Sequence, residues 1–152
     1  MSQFFPQTEY AEDQPLARTI LTTHVLNRGF QAGSAVGLLS GSLIPIFKRQ
    51  SSTFPALLLR STGIGGCVGT GLISLSLAAR MWGAEEIEWK DRSWRLQHNA
   101  GQVAVDRWSQ PGAVIGGALA VAFRRPGGGV LPVLGGAGWG ALVGAVGGVL
   151  FR

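Results

Sequence analysis

The chain has 152 residues, 46% of them hydrophobic and only 14% charged, against roughly 25% charged in an average soluble domain. Its net charge of +5 comes from basic residues scattered singly or in pairs, so no basic stripe interleaved with aromatics marks a nucleic-acid surface. One cysteine, Cys67, excludes an intrachain disulfide and a cysteine-based metal site.

Residues 1–15 are polar, hold Glu9, Glu12 and Asp13, and are broken by Pro6 and Pro15, which reads as an exposed tail. Acids without Arg or Lys are the opposite of a secretory n-region or a mitochondrial transit peptide, so no cleavable leader is expected here. Residues 16–152 read as a single transmembrane helical domain. The first span is expected at about 29–47, a run of 19 uncharged residues closed by Lys48 and Arg49. At 1.5 Å per residue it reaches about 28 Å, close to the roughly 30 Å hydrocarbon layer. The second span, about 61–82, follows Pro55 and Arg60.

A mixed-charge extramembrane loop is expected at 83–107. Glu86/Lys90, Glu88/Arg92 and Asp91/Arg95 are acid-first i,i+4 pairs that support a short helix, with Asn99 and Gly101 as its stop. Ile87 and Trp94 share one face of that helix, whereas Trp89 and Leu96 lie opposite, so contacts on two sides are expected. Trp89, Arg92, Trp94 and Arg95 are the expected partner contacts, being residue types enriched at interface hot spots. The third span, about 108–123, is the shortest and ends at Arg124, Arg125 and Pro126, whose arginines can snorkel. The fourth, about 130–151, follows a turn at Gly127–Gly129, and Trp82 and Trp108 border the loop as interfacial anchors. The expected fold is an all-α integral membrane protein of about four glycine-packed transmembrane helices, with a short helical loop between the second and third.

Glycine spacing is the most specific pattern in the chain. Gly29, Gly33, Gly37 and Gly41 recur every four residues in the first span, and Gly136, Gly140, Gly144 and Gly148 do so in the last. Gly65 and Gly69 stand in the second, beside the small series Thr62, Gly66, Thr70 and Ser74, and Gly112, Gly116 and Ala120 in the third. Four-residue spacing stacks these positions on one helix face and leaves a groove where another backbone can approach.

Residues that could carry chemistry are few. Gly136-x-Gly138-x-x-Ala141 fits a dinucleotide fingerprint, but no acidic residue follows at the distance needed to hold a ribose. His24 and His98 are far apart and read as polar interfacial residues, and Glu85, Glu86 and Glu88 as an ion-paired helix face. Cys67 reads as a small packing residue. No catalytic, cofactor-binding or metal-ligating residues are therefore assigned, no cofactor is expected, and the chain is not expected to be an enzyme by itself.

Four spans would place both termini and the 83–107 segment on one side with all eight acidic residues. The other side would hold Lys48, Arg49, Arg60, Arg124 and Arg125 and no acid. Such short basic turns are expected inside, in matrix or cytoplasm, where they would meet lipid headgroups, cardiolipin in a mitochondrial membrane.

Repeated GxxxG in four spans, without a cleavable presequence, looks like the mitochondrial protein-import translocase (Tim) superfamily over Gly29 to Phe151. The block Gly83-Ala84-Glu85-Glu86-Ile87-Glu88-Trp89-Lys90-Asp91-Arg92-Ser93-Trp94-Arg95-Leu96, continuing to Gly101-Gln102-Val103 and Asp106-Arg107-Trp108, is more distinctive. It resembles the fungal NUXM-type accessory subunit of respiratory complex I, best over the second and third spans and the loop between them. That resemblance implies a non-catalytic subunit of NADH:ubiquinone oxidoreductase in the mitochondrial inner membrane, multi-pass, with its termini on the intermembrane-space side. It would contact other subunits of that complex and support assembly or stability of the membrane arm. The alternative, from the first resemblance, is a translocase or channel-type protein.

Overall fold

The computed structural model describes residues 4–48, 54–123 and 129–151, which form five α-helices with a 3-10 turn at Ala11–Asp13 and contain no strand. Helix α1 (Ala17–Lys48) starts after Pro15 and Leu16, where Leu16 takes the left-handed φ of 54° and redirects the tail. Helix α2 (Phe54–Arg80) has Pro55 in its first turn, where a missing N–H leaves no helical bond unmade. It is followed by Gly83 at φ 72°. Helix α3 (Glu86–Gln97) opens with a reciprocal cap between Glu85 and Glu88. Glu88 thus turns back to the Glu85 N–H, while Glu86–Lys90 (3.7 Å) and Asp91–Arg95 (2.9 Å) form the other two expected pairs.

Helix α4 (Ala100–Ala122) begins where the sequence suggested a stop. Asn99 accepts a hydrogen bond from the Gln102 N–H at 3.1 Å, so it caps the start of α4 instead of ending α3. Residues 100–107, expected in the loop, are the first two turns of α4. Helix α5 (Leu131–Leu150) opens with Pro132 in its first turn. Helices α2 and α5 are long and apolar enough to cross a membrane.

Two antiparallel hairpins follow from the glycine spacing. Gly29, Gly33 and Gly37 of α1 face the backbone carbonyls of Gly69, Gly65 and Ser61 of α2, and Gly41 faces the Ser61 side chain. In the second hairpin Gly112 and Gly116 of α4 meet Gly140 and Gly136 of α5, while Gly144 and Gly148 meet the carbonyls of Trp108 and Ala104. The hairpins join through α2 and α5, where Gly63 abuts the Leu131 carbonyl and Gly135 the Leu59 carbonyl. Gly138 closes against Ser34 of α1. At each of these places a Cβ would occupy the space of a neighbouring atom.

The resulting interior is small and polar. Among the described residues the buried hydrophobic side chains are Ala17, Ile20, Leu21, Met81 and Ala141, against nine buried polar or charged ones. Large aliphatics point outward, with Val36, Leu39, Leu72, Leu75, Val114, Val143 and Leu150 each more than 60% exposed. Water-soluble packing runs the other way.

A leucine at Gly37 or Gly140 must push two backbones apart. We expect Gly37→Leu and Gly140→Leu to cost more than the ~1–3 kcal/mol of ordinary overpacking and to lower accumulation of the protein. At Gly71 and Gly147 an added Cβ meets nothing within 4 Å. Gly71→Ala and Gly147→Ala should therefore accumulate normally, and immunoblots of membrane fractions compare the two pairs. Equal levels for all four variants would refute the close-contact reading.

Candidate functional site

The densest polar contacts tie α1 to α4. Spacings of four and three residues bring His24, Arg28 and Gln31 to one side of α1, and Gln102, Asp106 and Ser109 lie likewise on α4. The Arg28 guanidinium donates to Gln31 Oε1 (2.7 Å), Gln102 Oε1 (2.7 Å) and Asp106 Oδ1 (2.8 Å). Gln31 Nε2 donates to Ser109 Oγ at 3.2 Å, and His24 Nδ1 lies 3.4 Å from Asp106 Oδ2. Asp106 is 1% exposed. Burial by itself would raise its pKa, but the hydrogen bond with His24 and nearby positive charge, Arg28 included, together hold the carboxyl below its usual value. Asp106 therefore links the two hairpins through its contacts with His24 and Arg28 of α1.

A second constellation lies where the tail meets α3. Gln14, 1% exposed, donates to the Pro6 (3.0 Å) and Pro15 (3.2 Å) carbonyls and so closes the tail into a loop. Trp94 Nε1 donates to the Thr8 carbonyl at 3.0 Å, and Lys90 Nζ to the Glu12 carbonyl at 2.8 Å. The Trp94 ring stacks on His98 with centroids 4.1 Å apart, and Arg18 lies over Trp89 at 5.7 Å. The tail, expected to be exposed, is thus strapped onto α3. Two of the expected partner contacts, Trp89 and Trp94, are engaged by their own chain. Arg92 is half-buried, and Arg95 is exposed and paired to Asp91. Ile87 and Trp82 remain free of such cover, at 46% and 88% exposure.

The glycines singled out by spacing line the seams described above. Of the expected headgroup contacts, Arg60 is exposed at the Leu131 end of the bundle. Arg49, Arg124, Arg125 and the Lys48 side chain lie outside the described residues, as do Gly127 and Gly128 of the expected turn. Cys67 is exposed on α2 and not packed, because the face that meets α1 is set by Gly65 and Gly69. Sequence reasoning missed Gly63, Gly135 and Gly138, which make the joint between the hairpins, and it missed the His24–Arg28–Asp106 cluster. A signal for the cluster was available: Arg28 is the last charge before the first span, and Asp106 and Arg107 are the last before the third.

Fold and site together define a helical protein of two glycine-seamed hairpins, latched by a buried ion pair and capped by a short helix and a strapped tail. A family model described as a protein of unknown function (DUF1757) matches residues 1–151, and the chain belongs to that family. No curated protein matches it.

Removing one partner of a buried ion pair leaves the other uncompensated. Asp106→Ala should destabilise the protein by about 3 kcal/mol, at the lower end for such losses because Arg28 keeps some exposure. The double variant Arg28→Met/Asp106→Leu should recover most of that loss. Thermal melts in detergent compare the two, and a double variant as unstable as Asp106→Ala would show that the ions are needed for more than mutual neutralisation.

Proposed function

We propose that the chain is a non-catalytic, four-span accessory subunit of mitochondrial NADH:ubiquinone oxidoreductase that supports assembly or stability of the membrane arm. The observation that carries the membrane reading is the inverted packing, with glycine, serine and an ion pair inside and aliphatic side chains outside. That distribution suits a lipid surround, where small residues permit close helix contacts. The glycine rungs extend the argument from two helices to four. Gly29–Gly37 stands level with Ser61–Gly69 of α2, and Gly112–Gly116 with Gly136–Gly140 of α5, so each hairpin occupies one layer. The short basic turns favour the matrix side for the α1–α2 and α4–α5 connections, leaving the tail and α3 in the intermembrane space.

Assignment to this complex rests on the resemblance carried by Gly83 to Trp108. A conduit function, as in a translocase, has less support. Thr62, Thr70 and Ser74 donate to the carbonyls of Leu58, Gly66 and Thr70, four residues earlier, so their hydroxyl protons are spent within their own helix.

Native-gel co-migration tests the assignment. The protein should run with NADH:ubiquinone oxidoreductase activity, and co-migration with protein-import components instead would overturn the reading. Ile87→Ser with Arg95→Ala removes exposed groups of α3 without touching the tail bonds, and should loosen the protein from the complex while carbonate extraction still finds it inserted. Full retention would place recognition in the spans.

A further inference from the structure

A shallow groove of about 640 Å³ follows the outer side of the α4–α5 seam. Its floor is the glycine backbone of Gly112, Gly116, Gly136 and Gly140, and its walls are Ile115 and Leu119 on one side and Trp139 and Val143 on the other. Trp108 closes one end, while Phe123 and Leu59 mark the other. From Trp108 to Phe123 the helix rises about 22 Å at 1.5 Å per residue, most of one hydrocarbon layer.

We propose that this groove seats an acyl chain of an anionic phospholipid whose headgroup lies at the Leu59 end. Shape argues for a chain over a helix. Glycine rungs bring the α4 and α5 axes close, so the valley between them is narrow, whereas a helix with its side chains is roughly 10–12 Å across. Charge argues for the anionic headgroup and for its end of the groove. Arg60, next to Leu59, is exposed there, one helix position from the residue that lines the groove's end. At the opposite end Trp108 is 48% exposed, an amphipathic ring suited to the interface. The proposal rests on the membrane placement above but not on which complex holds the protein.

Groove-filling variants test the seat, and a charge variant tests the headgroup. Leu119→Trp and Val143→Trp enlarge side chains that are 53% and 66% exposed and leave the glycine rungs untouched. The full chain is inserted into phosphatidylcholine vesicles containing phosphatidylglycerol, and native mass spectrometry counts retained lipid. The unaltered protein should retain phosphatidylglycerol in preference to phosphatidylcholine. Both tryptophan variants should lose that retained lipid while resisting carbonate extraction like the parent. Arg60→Gln should reduce the preference for phosphatidylglycerol about fivefold. Unchanged retention in both tryptophan variants would overturn the seat, and a preference indifferent to Arg60→Gln would overturn the headgroup assignment. Tryptophan variants that keep their lipid but leave the larger complex would show that the groove takes a partner helix instead. Failure to co-migrate with the oxidoreductase would leave the lipid result standing, so the two proposals fail separately.

Discussion

Everything in this molecule depends on helix backbones meeting without side chains between them. In a lipid surround, aliphatic side chains gain nothing by leaving one apolar environment for another, so contact between helices comes from close van der Waals approach and from hydrogen bonds. Glycine every four residues supplies the first of these along the central part of both hairpins, from Gly29 to Gly41 on α1 and from Gly136 to Gly148 on α5. It also decides what the other residues can do. With the seams closed by backbone, the large aliphatics have no interior to fill and lie outside, and the seam itself leaves a narrow valley on its outer surface.

Glycine seams give proximity but little to fix one hairpin against the other, since small flat faces can slide. The α2–α5 joint is made by single rungs at Gly63 and Gly135, with Gly138 against Ser34. Directional contacts complete it at the end where α1 reaches α4. Arg28 bonds to both Gln102 and Asp106, and Gln31 bonds to Ser109, so a shift of either helix breaks several bonds together. A buried ion pair often adds little net stability, and fixing a register is its best-attested use. The positive charge and hydrogen bonding around Asp106 favour its carboxylate form, which fits that use.

What could be read from the sequence divides along the same line. The seams were legible because a four-residue repeat marks a helix face whichever helix it meets. The joint between hairpins was not, because its contacts recur for only one or two rungs and fall off the main ladders, as Gly135 does from Gly136 and Gly140. The latch joins residues nearly eighty positions apart, and no local pattern links Arg28 to Asp106. Asn99 misled for a local reason: Asn followed closely by Gly suits the end of a helix as well as the start of one, and here the side chain caps Gln102 ahead of it. The tail gave no periodic signal, since Gln14 holds it through carbonyls at Pro6 and Pro15 instead of through an apolar stripe.

The strapped tail changes what α3 can present to another protein. Sequence reasoning assigned Trp94 to a partner, yet its indole N–H is already spent on Thr8, and Lys90 holds the Glu12 carbonyl. Both bonds end on backbone oxygens, so they hold the tail whatever side chains it carries at those positions. The outer surface of this end is consequently a composite, with Tyr10 and Leu16 of the tail region exposed alongside Ile87 of α3 and Trp82 before it. A partner that reads this cap reads tail and helix as one surface. Losing the Trp94 bond would therefore loosen the Thr8 part of the tail and change this composite surface, while the Lys90–Glu12 bond still holds the rest.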